Sequence, residues 1–148
     1  MKPVHTKEMA EFNRLYKETD NIYTRYAAYQ GISTTTLCVL YSLFLSDTPC
    51  TQTQLVEDWG IPMQTINSCL KAMEKSGTVR LEFAEGNRKS KCILLTCEGK
   101  EIAERIIAPL VEAENHAMDA LEAEQRRLLM EVTRKHAQLL QSFLFAER

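Results

Sequence analysis

The chain has 148 residues, 45% of them hydrophobic and 26% charged, with a formal net charge of −2. That length fits one domain at ~150 residues per domain, and the balance of apolar and charged residues excludes a disordered or fibrous chain. Five glycines and four prolines leave little material for a turn-rich all-β fold, and a slightly acidic total argues at first sight against a nucleic-acid binder, since such proteins are usually basic. The first twenty residues carry charge throughout and contain no apolar stretch, so no secretory signal is expected. The longest apolar run, Leu37 to Leu45, is broken by Ser42 and falls short of the ~20 residues a bilayer needs. Cys38, Cys50, Cys69, Cys92 and Cys97 form an odd set without a C-x-x-C pair. Reduced thiols in a cytoplasmic, non-membrane protein are therefore expected.

Residues 6–29 place Phe12, Leu15, Tyr16, Thr19, Ile22, Tyr23 and Tyr26 at the i, i+3, i+4, i+7 spacing of one helix face, with Glu11, Arg14, Lys17 and Glu18 opposite. Gly31 ends that helix. Ser33 or Thr34 can cap a second one, from Leu37 to about Ser46, which is apolar nearly all round and so belongs in the core. Thr51-x-x-Gln54 is a capping box that opens a short helix, 52–59, and Gly60 stops it. Ile61-Pro62 opens the next helix at its first turn, with Ile66, Cys69, Leu70 and Met73 on one face and Gly77 at the end. Val79, Leu81 and Phe83 alternate with Arg80 and Glu82 as a strand. A turn is expected at Glu85-Gly86-Asn87, with 92–95 as the return strand of a hairpin. Thr96 and Glu98 begin a long helix carrying Ile102, Ile106, Leu110, Ala113 and Ala117 in register, which Pro109 should bend. A last helix from about Glu122 is expected to bury Leu128, Leu129, Val132, Leu139, Leu140 and Phe143. The predicted fold is mainly α with a small β-hairpin (α+β): four helices, two strands, two helices.

Two short helices joined at a glycine and followed by a hairpin outline a winged helix-turn-helix. Val56, Gly60 and Ile66 stand where that motif needs a modest side chain, a turn glycine and a buried β-branched residue. The second helix then presents Met63, Gln64, Thr65, Asn67, Ser68 and Lys71 on its free face, with Pro62 at its start and Thr51 and Gln52 opening the helix before it. Amides and hydroxyls of this kind pair with base edges and phosphates. The hairpin tip, Glu85 to Lys91, forms a basic finger with Asn87, Arg88, Lys89 and Lys91 able to reach a neighbouring minor groove. From Pro62 to Lys91 six Lys/Arg stand against three Asp/Glu, a charge of +3 that leaves −5 for the remainder. The acidic total therefore conceals a basic reading head.

On these residues the sequence resembles the MarR-type (multiple antibiotic resistance regulator) winged helix-turn-helix transcription factors over nearly its whole length. Leu95, Thr96 and Gly99 match that family's L-T-x-x-G at the end of the wing. Asn87-Arg88-Lys89 stands at its wing-tip Asp-x-Arg, keeping the cation without the carboxylate, and Arg80 lies one place before its arginine after the recognition helix. The resemblance implies a single domain, 1–148, with a DNA-binding lobe at 33–97 and dimerisation helices at 6–32 and 98–148. It implies a homodimer that binds a double-stranded DNA palindrome, usually as a repressor. It also implies a small aromatic or phenolic effector between the dimerisation helices and the DNA-binding lobe, for which Tyr16, Tyr23, Tyr26, Leu37 and Tyr41 are the candidate lining residues. The competing class is a winged helix that contacts proteins and never DNA. The sequence holds no P-loop, H-E-x-x-H or nucleophile–base pair, and His5, His116 and His136 are dispersed. No enzymatic activity, cofactor or metal is expected.

Overall fold

Capping side chains start the helices where the sequence places polar residues ahead of apolar periodicity. In the computed structural model, which describes residues 2–84 and 87–146 and the side chains outside 84–90, Thr6 Oγ1 accepts from Met9 N at 3.1 Å and opens α1 (Lys7–Tyr29). Ser33 Oγ accepts from Thr36 N at 3.0 Å ahead of α2 (Thr34–Leu45). At Thr51 the predicted capping box is complete: its hydroxyl accepts from Gln54 N, and its own N–H donates to Gln54 Oε1 at 2.8 Å. This opens α3 (Gln52–Trp59), which Gly60 ends in the left-handed conformation at φ 62°. α4 (Met63–Lys75) follows after two residues, with Pro62 in the flanking cap position rather than inside the first turn.

The sheet has one strand more than expected. β1 (Cys50–Thr51), β2 (Val79–Ala84) and β3 (Asn87–Leu95) pair antiparallel in the order β1-β3-β2. Cys50 lies opposite Ile93, and Val79, Leu81 and Phe83 lie opposite Leu95, Ile93 and Lys91. The return strand begins at Asn87, five residues before the expected 92, so Asn87 belongs to the strand and not to the turn. Glu85 and Gly86 of the expected turn lie outside the described residues. α5 (Cys97–Asp119) continues through Pro109, and α6 (Ala123–Leu144) closes the chain.

The contacts divide the chain into two units, Met1–Ala108 and Pro109–Arg148. In the first, Leu40, Leu55, Ile66, Ile93, Ile106 and Ile107 are fully buried. Full burial of such a side chain is worth roughly 1.5–3 kcal/mol, so α4 is held by its Ile66, Leu70 and Met73 face. The Tyr26 hydroxyl donates to the Ile106 carbonyl at 2.6 Å and joins α1 to α5 within this unit. In the second unit the Arg126 guanidinium donates to the Leu121 and Asp119 carbonyls at 2.8 and 3.2 Å, closing the turn between the helices.

The expected burial of α6 is not found. None of its described residues is buried, and Leu128, Leu129, Val132, Leu139, Leu140 and Phe143 are all exposed, Phe143 to 80%. The 3.6-residue apolar spacing identifies a stripe, but it does not say that the same chain covers it. Phe12, Leu15 and Ile22 of α1 are likewise exposed. On the polar faces, Arg14 bridges Glu11 and Glu18, and Arg127 bridges Glu124 and Glu131, all one helical turn apart.

Gly99, in the first turn of α5, lies against the backbone that follows α4. A Cβ built there would stand 1.9 Å from the Thr78 carbonyl oxygen. Gly99→Ala is therefore expected to lower stability by about 3 kcal/mol, read as a fall in the urea midpoint. Gly60→Ala meets nothing within 4 Å and pays only for its positive φ, about 1–2 kcal/mol. Equal midpoints for the two variants would contradict this packing.

Candidate nucleic-acid interface

Ile66, Leu70 and Met73 anchor the inner face of α4, and the helical period turns Met63, Gln64, Thr65, Asn67, Ser68 and Lys71 outward; all six are exposed. The first turn carries no acidic residue and no side-chain cap. Its amide end, with the positive end of the helix dipole, is suited to a phosphate. Gln52, at the start of α3, donates from its side-chain amide to Asn67 Oδ1. This bond ties the two helices together and leaves the Asn67 amide hydrogens for an outside acceptor. The Ser68 hydroxyl donates back to the Gln64 carbonyl at 3.0 Å, keeping its oxygen lone pairs available. Thr51 serves chiefly as the cap of α3, half-buried, and Pro62 accepts from Thr65 N and Ile66 N at 2.9 and 3.1 Å.

The wing extends from the far end of α4. The backbone of Asn87, Arg88 and Lys89 lies in β3, while their side chains fall outside the described residues. Lys91 is exposed, with its Nζ 5.4 Å from the centre of the Phe83 ring across the hairpin. Such a cation–π contact orients the ammonium without neutralising it. Arg80 is different: its Nε lies 2.9 Å from Glu82 Oε1 in an exposed ion pair within β2. Lys71 and Lys75 of α4 are likewise exposed.

Thr96 joins the wing to α5 and to the end of α4. Its hydroxyl donates to the Gly77 carbonyl at 2.5 Å and accepts from Gly99 N at 3.0 Å, and its N–H donates to the Thr78 carbonyl at 3.2 Å. The Leu95, Thr96 and Gly99 pattern thus has a physical role, since it fixes where the recognition helix ends relative to the wing.

The five residues expected around an effector lie on α1 and α2 in different surroundings. Tyr16 is 69% exposed on α1, Leu37 is buried, and the Tyr26 hydroxyl is engaged by Ile106. Tyr23 is half-buried. Tyr41 lines a different feature, a cleft of about 340 Å³ between the end of α2 and α3. There the Tyr41 and Trp59 rings meet edge to face at 5.8 Å, and Trp59 Nε1 donates to Ser42 Oγ at 2.8 Å. Sequence reasoning gave no part in a site to Trp59 or Asp58, because they meet Tyr41 only through the α2–α3 packing. Among the described residues no group of three or more His, Cys, Asp and Glu is placed to hold a metal, and no helix is long and apolar enough to cross a membrane.

No protein-family model and no curated protein matches the chain. Solved structures do. A MarR family regulator from Neisseria meningitidis is 18% identical, covers 94% of this chain and 97% of its own, and superposes with a TM-score of 0.79. A MarR family transcriptional regulator from Streptomyces coelicolor, solved in complex with DNA, is 27% identical, with coverages of 95% and 92% and a TM-score of 0.71. The MepR–DNA complex of S. aureus is 16% identical, with coverages of 93% and 100% and a TM-score of 0.70. The chain has the winged-helix fold of the MarR family over nearly its full length.

Two thiols of the first unit are raised by burial. Burial pushes the Cys38 thiol up to about 11, and burial followed by the nearby Asp58 charge pushes Cys50 up as well. The fold favours the neutral form of Cys38. Its contribution to stability is complete below the ordinary value of 9.0 and is lost as pH rises through about 11. The melting temperature should fall over that interval, and less steeply for Cys38→Ala. Parallel curves would contradict the assignment.

Proposed function

We propose that this chain is a sequence-specific, double-stranded DNA-binding transcriptional regulator that acts as a homodimer. Its operator is a pseudo-palindrome of about 16–20 base pairs, since two recognition helices one turn apart span that length. The observation that carries this reading is the outward face of α4, where Gln64, Thr65, Asn67, Ser68 and Lys71 are all exposed beside a basic wing. Amides and hydroxyls so arranged suit base edges in the major groove, and Arg88, Lys89 and Lys91 suit the adjoining backbone and minor groove. The DNA complexes solved for the Streptomyces coelicolor and S. aureus regulators of the same fold support it. Repression, relieved by a small effector and carried out in the cytoplasm, is the form of regulation we assign.

The dimer follows from the uncovered apolar faces. Phe12, Leu15 and Ile22 on α1, and Leu128, Leu129 and Val132 on α6, are exposed in the single chain. A twofold partner covers such stripes without an open-ended assembly. The segments 6–32 and 98–148 are therefore assigned to dimerisation and 33–97 to DNA.

Genomic fragments selected by the purified protein at fixed salt should share a twofold-related motif. A fragment pool no different from the input would overturn the reading. Arg88→Ala should weaken binding about equally across sequences and reduce the slope of log K against log salt by ~1; Asn67→Ala should instead relax preference at one position per half-site. Light scattering at micromolar concentration is expected to give twice the chain mass of 17.0 kDa. A monomer mass would contradict the dimer.

A further inference from the structure

The α2–α3 cleft combines an aromatic wall with a one-sided charge. Tyr41 supplies one ring from α2 and Trp59 another from α3, edge to face at 5.8 Å and 87°. Leu45 adds an apolar rim, Cys50 a buried floor, and Asp58 a carboxylate at the mouth. The Trp59 ring is held in place by its hydrogen bond to Ser42, yet it stays 39% exposed. At about 340 Å³ the cleft matches a small organic molecule rather than a peptide.

The charge around it has one sign. From Tyr26 to Leu70 the chain contains no Lys, Arg or His, while Asp47, Glu57 and Asp58 all fall within that stretch. Asp58 lies near enough to the cleft floor to help raise the Cys50 thiol. An anionic guest meets no counter-charge from these elements. A cation meets a carboxylate beside two aromatic rings, a setting that suits organic ammonium groups.

We propose that this cleft binds a small aromatic cation, with its ring against Tyr41 and Trp59 and its positive group at Asp58. The site shares Tyr41 with the expected effector residues but none of the tyrosines of α1, and it is lined in part by α3, the helix that Gln52 ties to Asn67 of α4. It stands whether or not the chain binds DNA.

Trp59 is the one tryptophan of the sequence, so its emission reports directly on the cleft. The probe is benzyltrimethylammonium, titrated into the full-length protein without DNA. Saturable quenching with one site per chain is expected. Neopentylbenzene, the uncharged molecule of the same shape, should bind roughly fivefold more weakly. Asp58→Asn, a change at an exposed position that leaves the packing intact, should weaken the cation by a similar factor and leave neopentylbenzene unaffected. Benzoate should not compete. Linear, unsaturable quenching, equal affinity for cation and isostere, an unaltered affinity in Asp58→Asn, or competition by benzoate would each overturn the assignment.

Discussion

The approach of α5 to the backbone beyond α4 is the constraint on which the reading head depends. Thr96 places one hydroxyl between the Gly77 carbonyl and the Gly99 N–H, and Gly99 must lack a side chain because the Thr78 carbonyl occupies that space. The end of α4, the base of the wing and the start of α5 are thereby joined through one side-chain hydroxyl and main-chain atoms. A β-branched side chain is stiff at χ1 and the main-chain groups have no rotamers to adjust, so the angle between α4 and the wing is constrained by these contacts. At the other end of α4, Gln52 holds Asn67, and the buried Ile66, Leu70 and Met73 hold the inner face. A helix fixed at both ends and along one side presents its free face as a rigid surface, which base-edge recognition requires.

Charge follows the same division. From Pro62 to Lys91 the bases outnumber the acids six to three, whereas the stretch from Tyr26 to Leu70, which supplies the lining of the α2–α3 cleft, carries only acids. Arg80 belongs to the basic stretch by position and forms an exposed ion pair with Glu82.

Much of this was legible in the residues. The capping box at Thr51 and Gln54, the cap at Ser33, the stop at Gly60 and the alternation of Val79, Leu81 and Phe83 are local signals, and each element stands where its signal put it. What was missed depends on partners distant in sequence. β1 is two residues long and exists only because Ile93 and Cys92 lie beside it. The cleft needs Tyr41 and Trp59 brought together from different helices, and neither helix alone announces it. The stripe on α6 was legible as apolar, but its exposure was not, since amphipathic spacing is silent on whether a face is covered by its own chain. The L-T-x-x-G pattern was legible as a likeness, and its reason became visible only in the contact with Thr78.

The proposal that a twofold pair of α4 helices reads DNA is tested most directly by hydroxyl-radical footprinting of a fragment selected by the intact protein. Two protected tracts about one helical turn apart, 10–10.5 base pairs centre to centre, are expected. They should be related by a pseudo-twofold axis, with weaker protection outside each from the wings. A single protected tract, or uniform protection that depends on salt but not on sequence, would contradict it.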